Sequence, residues 1–141
     1  MAEFTGVALQ EVQTNANVLF TETPIAPSKC IRHRQGSGIV TLKGLTQQNC
    51  FARFQVTFNG NISVPAGETA QAISVAIAID GEQVQSSIAT VTPTVADALF
   101  NVTSTAIIDV PKCCCDTISV KNISPIAINI QNANFVVERV A

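Results

Sequence analysis

The sequence predicts an all-β fold, a sandwich or barrel of about ten short antiparallel strands. Three observations carry that expectation. Apolar residues recur with a period of two along most of the chain, and no window holds a sustained apolar stripe at i, i+3, i+4 and i+7. Gly, Pro, Asn and Asp punctuate this alternation roughly every 8–12 residues. The 141 residues are 47% hydrophobic and 13% charged, with no Trp or Tyr. That is too apolar for a disordered chain and too poor in Glu, Lys and Arg for a helical bundle. The length suits one domain, residues 1–141, without linker or internal repeat.

Taken in chain order, Pro24 and Pro27 are expected to end the second strand, and Gly36-Ser37-Gly38 to form a turn. Phe54, Val56 and Phe58 alternate with Gln55 and Thr57, a half-buried strand that should end at Asn59-Gly60. Pro65-Ala66-Gly67 marks another turn. Ile73, Val75, Ile77 and Ile79 then alternate with Ser74, Ala76 and Ala78, and Asp80-Gly81 predicts a tight hairpin into Glu82–Ala89. After Pro93, Thr94–Leu99 is the best helical candidate, a turn or two at most. Pro111 and Pro125 should break later strands around Ile118 and Val120, with Ile126, Ile128 and Ile130 alternating after them. Phe135–Val140 closes the chain. Its apolar residues on both faces predict a central strand covered on both sides, with a neighbouring subunit as one candidate cover. The small faces at Ser74, Ala76 and Ala78 and at Thr103 and Thr105 suit either close approach of another subunit or ordinary exposure to solvent.

The formal charge of −2 gives no general drive toward nucleic acid or anionic membrane. Met1–Thr5 lacks the positive and apolar regions of a secretory signal, and the apolar run Ala72–Ile79 is far too short to span a bilayer. A soluble protein without membrane insertion is expected. Charge is uneven in one respect: no Asp or Glu lies between Thr23 and Gly67, where Lys29, Arg32, Arg34, Lys43 and Arg53 occur. On strands these would form a basic surface patch facing an acidic flank of a second copy or another anionic surface. Phe54 and Phe58 follow core periodicity, not the layout of a base-stacking platform, so nucleic acid is not the expected partner. The Asn-x-Ser/Thr triplets at Asn61, Asn101 and Asn122 are short enough to arise by chance.

Groups for catalysis are sparse. The single histidine, His33, lies between Arg32 and Arg34 with no carboxylate within ten residues, and reads as a surface residue of a basic strand. The ten carboxylates are scattered singly, and no Gly-x-Ser-x-Gly elbow or phosphate loop is present. No enzyme, cofactor or metal site is expected. Five cysteines, Cys30, Cys50 and the run Cys113-Cys114-Cys115, are the one oddity. They lack the paired C-x-x-C spacing of zinc knuckles. An odd number cannot pair completely within the chain, so in an oxidising setting at least one would be free or bonded to another chain. In a reducing one they would be small buried hydrophobes. All five are cross-linking candidates.

The terminal strand Asn134-Phe135-Val136-Val137-Glu138-Arg139-Val140-Ala141, with about ten short strands and the Ala/Ser/Thr-rich face, resembles the jelly roll of the tumour-necrosis-factor and complement globular-head family. It is similar in particular to a bacterial branch, the C-terminal domains of exosporium collagen-like glycoproteins, which finish in a comparable Glu-Lys/Arg-Val-Ala strand. Asn17–Pro24, Arg34–Gly38 and Gln131–Asn134 look like segments of short stand-alone proteins from gut Clostridia and their phages. The resemblance covers nearly the whole chain and rests on structural motifs. It implies a two-sheet jelly roll that assembles as a trimer about a three-fold axis, on a particle or surface and not in catalysis. The chain departs from that branch in having no Gly-x-y stalk and in carrying a triple cysteine.

The function expected from the sequence is therefore a self-assembling structural subunit, a homotrimer or larger, of a virion, spore surface or filament, with disulfide cross-linking. It would be extracellular. The alternative is an adhesin head whose loops bind a carbohydrate or receptor, against which the lack of Trp and Tyr weighs. A surface glycan or another particle protein is the further partner considered.

Overall fold

A computed structural model describes every residue except Ser28 and Gln48. The alternation resolves into twelve strands among the described residues. These are β1 (Ala2–Gly6), β2 (Gln10–Val12), β3 (Glu22–Ile25), β4 (Ile31–His33), β5 (Val40–Lys43), β6 (Phe51–Ser63), β7 (Ile73–Ile79), β8 (Glu82–Gln83), β9 (Ala89–Val91), β10 (Phe100–Pro111), β11 (Cys115–Asn122) and β12 (Ile128–Arg139). They form two antiparallel sheets in a jelly-roll sandwich. The first runs β10-β6-β12-β1-β3 with β2 beside β12, and the second runs β4-β5-β11-β7-β8 with β9 beside β7.

The core lies between the sheets, where period-two strands must put their apolar side chains. Phe54, Val56 and Phe58 of β6 face it, as do Ile73, Val75 and Ile77 of β7. Phe4, Phe135 and Phe58 are successive partners across β1, β12 and β6, so three rings line one row of the inner face. Phe20 stacks on Phe135 at 5.5 Å between centroids. A buried polar side chain needs partners in such a core. Asn122, fully buried, donates to Val12 O and Ile126 O at 2.9 Å each and accepts from the Ser124 amide at 2.9 Å.

Several sequence expectations change here. Asn59-Gly60 does not turn, because β6 continues through it to Ser63 with ladders on both sides. A turn there would forfeit both sets of hydrogen bonds. The irregularity is taken up by β12 instead, which shifts register between Gln131 and Asn134 with Asn132 at φ 56°. Ile128–Ile130 and Phe135–Arg139 consequently belong to one bulged strand. That strand is central, as its apolar faces predicted. Thr94–Leu99 is a turn with Asp97 at φ 65°; the only helical element among the described residues is a single 3-10 turn at Gln85–Ser87. Pro24 lies within β3, where an edge strand tolerates a missing donor. Ala76 and Ala78 are buried and not available to a partner.

Asp80-Gly81 does form the predicted tight hairpin, with φ of 51° and 87°. The Asp80 carboxylate also accepts from the Thr117 amide at 2.8 Å and from Thr117 Oγ1 at 3.1 Å. These donors hold its carboxyl below the usual range. Burial, then the nearby Asp80 charge, pushes Asp116 the other way. A depressed carboxylate pKa contributes stability that is present above the unfolded value of about 4 and is lost as pH falls through the folded one. Asp80→Asn should therefore flatten the acid limb of stability, a smaller loss of melting temperature between pH 6 and pH 3 than in the parent. The raised Asp116 has the opposite sign and relaxes when its neighbour's charge is removed. Thermal scans by circular dichroism check this; parallel acid limbs would refute it.

Candidate functional site: the outer face of the first sheet and the thiol pole

Because β6, β10, β12 and β1 bury alternate residues, the remaining ones form a continuous outer face. Its rows follow from the register. Thr103, Asn59, Asn134 and Thr5 make one row across four strands; Thr105, Thr57, Val136 and Glu3 make the next; Ile107, Gln55 and Glu138 make a third. On β10, β6 and β12 the middle of the face is thus short, uncharged side chains, with Glu3 at its β1 end. Most of their polar groups bond to one another, Thr5 Oγ1 being without a partner. Asn101 Nδ2 donates to Asn59 Oδ1 at 2.9 Å and to Asn61 Oδ1 at 3.2 Å, and Thr103 Oγ1 donates to Asn59 Oδ1 at 3.0 Å. Thr57 and Thr105 hydroxyls meet at 3.3 Å, and Asn134 Nδ2 donates to Glu3. Toward one end Arg53 and Asp109 form a two-pronged pair at 2.7 and 3.1 Å, which lowers the Asp109 pKa and raises that of Arg53.

A face most of whose polar groups already have partners can be covered by another subunit while stranding few donors or acceptors. Short Asn and Thr side chains also lose little rotamer freedom when covered. Exposed apolar residues flank it on two opposite edges. Ile107, 65% exposed, projects from edge strand β10, with Val95, Leu99 and Phe100 leading into that strand. Beyond β1, Leu9 and Leu19 line one shallow depression, while Leu19 and Ile39 line the adjoining one.

The five cysteines meet at one end of the sandwich. Cys50 precedes β6, and Cys113 and Cys114 form the turn from β10 into β11, which opens on Cys115. Cys30 precedes β4. The Lys112 amide donates to Cys50 O at 2.9 Å, and Lys43 donates its amide to Cys30 O at 2.8 Å while standing opposite Cys115. The ends of β12 and the start of β1 lie at the same pole. Cys50, Cys113, Cys114 and Cys115 are exposed, and Cys30 is half-buried.

The basic residues are not all brought together. Lys29, Arg32, Arg34 and Lys43 belong to the β4–β5 side of the second sheet, whereas Arg53 is on the first sheet, neutralised by Asp109. His33 is half-buried, so only part of it reaches the surface. Its ring lies 4.5 Å from that of Phe4, and Nε2 is 2.7 Å from Ser37 O. It borders an open cleft of about 610 Å³ that Arg32 and Arg34 also line. Among the described residues, no three of His, Cys, Asp or Glu are placed to share a metal ion, and no helix is long and apolar enough to cross a membrane. The sequence points to this face only at Thr103 and Thr105 and through the covered strand Phe135–Val140, although uncharged residues at every second position of 55–61 and 101–105 also mark it.

No family model and no curated protein matches this sequence. Solved structures do match. The globular domain of zebrafish complement 1qA superposes with a TM-score of 0.67 at 9% identity, over 99% of this chain and 96% of that one. Eiger TNF from S. frugiperda gives 0.70 at 13%, over 99% and 91% of the two chains. Murine APRIL gives 0.64 at 9%, over 97% and 98%. At such identities the likeness is one of fold: a jelly roll of the tumour-necrosis-factor and complement globular-head type.

Proposed function

We propose that this chain, folded as one unit over residues 1–141, is a structural subunit that self-assembles into a homotrimer through the outer face of its first sheet. One observation carries the reading: the face is broad, uncharged at its centre and internally hydrogen-bonded, with exposed apolar residues on opposite edges. Two unlike patches on opposite edges suit a heterologous contact, in which one edge of a copy meets the other edge of the next and the ring closes. An interface core depleted in charge is what a stable contact requires. The shared fold supports the reading. The terminal-strand resemblance points to an extracellular particle or surface, a virion, spore surface or filament.

A second reading, a head that binds a glycan or receptor, is favoured by the open cleft beside Arg32 and Arg34. An anionic-glycan array without hits removes it.

The double variant Thr57→Arg/Thr105→Arg puts two charges into the middle row of the face. It is expected to reduce the native mass threefold, to a single chain, while circular dichroism stays that of the parent. Thr90→Arg, on the second sheet, should leave the mass unchanged. A folded double variant that keeps the parent's mass would refute the assignment of the face.

A further inference from the structure

We propose that the pole carrying the cysteines is a site of intermolecular disulfide formation, which links copies of this chain end to end through Cys50 and Cys113–Cys115, with Cys30 held apart. Free cysteine is among the most buried residue types, yet four of the five are exposed here, all at one end of the fold. They reach that end from separate stretches of sequence, because β5 runs beside β11 and β6 beside β10. The thiols are carried on a clamped turn. The Cys114 amide donates to Pro111 O at 3.0 Å, the Cys113 amide to Gly44 O at 3.1 Å, and the Gly44 amide to Cys114 O at 2.9 Å. Cys113 stands at φ 65° within that turn, a left-handed position where glycine or asparagine is favoured. Its thiol is thus presented at a backbone cost, and such a cost persists where the residue has a role.

Pairing within one chain cannot use up these thiols. Five is odd, so at least one always remains. Neighbouring cysteines would have to close a strained eight-membered ring. Cys30 and Cys115 stand on opposite sides of Lys43, two strand spacings or about 9.6 Å apart, beyond the roughly 4.4–6.8 Å that a disulfide allows between Cα atoms. Cys30 is further withdrawn because its Sγ accepts from Arg139 Nη1 at 3.1 Å. Charge opposes an encounter of two poles only weakly, since Asp109 neutralises Arg53 and the cations Lys43, Lys112 and Arg139 stand among the carboxylates Asp116 and Glu138. The pole faces along the strands and the outer face of the first sheet faces across them, so the link does not compete with association. Each link joins two chains, and the proposal rests on the trimeric reading only for how many chains the linked assembly contains.

The oxidant is a small disulfide such as oxidised glutathione. A thiolate of one chain attacks it, forming a mixed disulfide and releasing one glutathione thiolate, which takes up a proton. A thiolate of the second chain then attacks the protein sulfur of that mixed disulfide and releases the second glutathione. Two protein thiols are oxidised to one disulfide, and one oxidised glutathione is reduced to two thiols.

The test uses the full chain, reduced, desalted and then treated with oxidised glutathione. Chain dimers and larger species are expected on non-reducing gels. Native mass should rise to a multiple of the reduced assembly's and return on reduction. Cys30→Ala should behave like the parent, and Cys50→Ser/Cys113→Ser/Cys114→Ser/Cys115→Ser should form no links while keeping the reduced native mass. Glutathione adducts alone, links that leave the native mass unchanged, or links that persist in the quadruple variant would each overturn the proposal. The reduced native mass separately reads the association proposal, so either can fail without the other.

Discussion

Phe135→Ala is expected to lower the free energy of unfolding by about 3–5 kcal/mol. The ring is fully buried at the middle of the central strand, between Phe4 and Phe58 in register and stacked on Phe20 with 13° between ring planes. Truncation removes the stack and leaves a cavity whose walls are strands hydrogen-bonded on both sides, so the site cannot collapse to fill it. A whole domain is stable by only about 5–15 kcal/mol. Urea titration by circular dichroism, at one fixed chain concentration because association adds to apparent stability, should show a much lower midpoint at a similar slope. A loss under about 1 kcal/mol would show that the aromatic row is not the centre of the core.

Gly44→Ala is expected to be the most damaging of the glycine substitutions. A Cβ there would lie 2.0 Å from Pro111 O and 2.9 Å from Pro111 C, backbone atoms that cannot rotate away. Relief requires the turn after β10 to move, which breaks the two hydrogen bonds between Gly44 and Cys113 and Cys114. Overpacking costs about 1–3 kcal/mol, with the lost bonds added. Gly36→Ala is the informative comparison. Its φ is +85° with nothing within 4 Å of the new Cβ, so only the left-handed conformation is penalised, by about 1–2 kcal/mol. Thermal scans should rank Gly44→Ala well below Gly36→Ala. The disturbed turn should also let the thiols of Cys113 and Cys114 react faster with an alkylating reagent. Equal melting temperatures for the two variants would contradict the close crossing at Gly44.

These two sites differ in how far the sequence reveals them. Alternation exposed the inward set of β6, β7 and β11, and Asp80-Gly81 exposed its hairpin, because both signals are local. The Asn-Gly signal misled at residues 59 and 60, since partners on both sides, remote in sequence, outweigh a local turn preference. Gly44 looks unremarkable because the atom that excludes its Cβ belongs to Pro111, placed there by strand order. The thiol pole is hidden for the same reason: Cys115 meets Lys43, and Cys50 meets Lys112, only when the sheets are assembled. Strand order likewise separates Arg53 from Lys29, Arg32, Arg34 and Lys43 and gives it Asp109 as a partner. His33, flanked by arginines in sequence, is turned inward by the neighbourhood of Phe4.

Association through the outer face of the first sheet is the claim on which the functional account stands. Sedimentation equilibrium of the fully reduced protein, across a dilution series at micromolar concentration, measures it without interference from disulfides. The account predicts a species of three chains of 14.9 kDa each, persistent on dilution. A single-chain mass throughout the series, with the fold intact by circular dichroism, would contradict it.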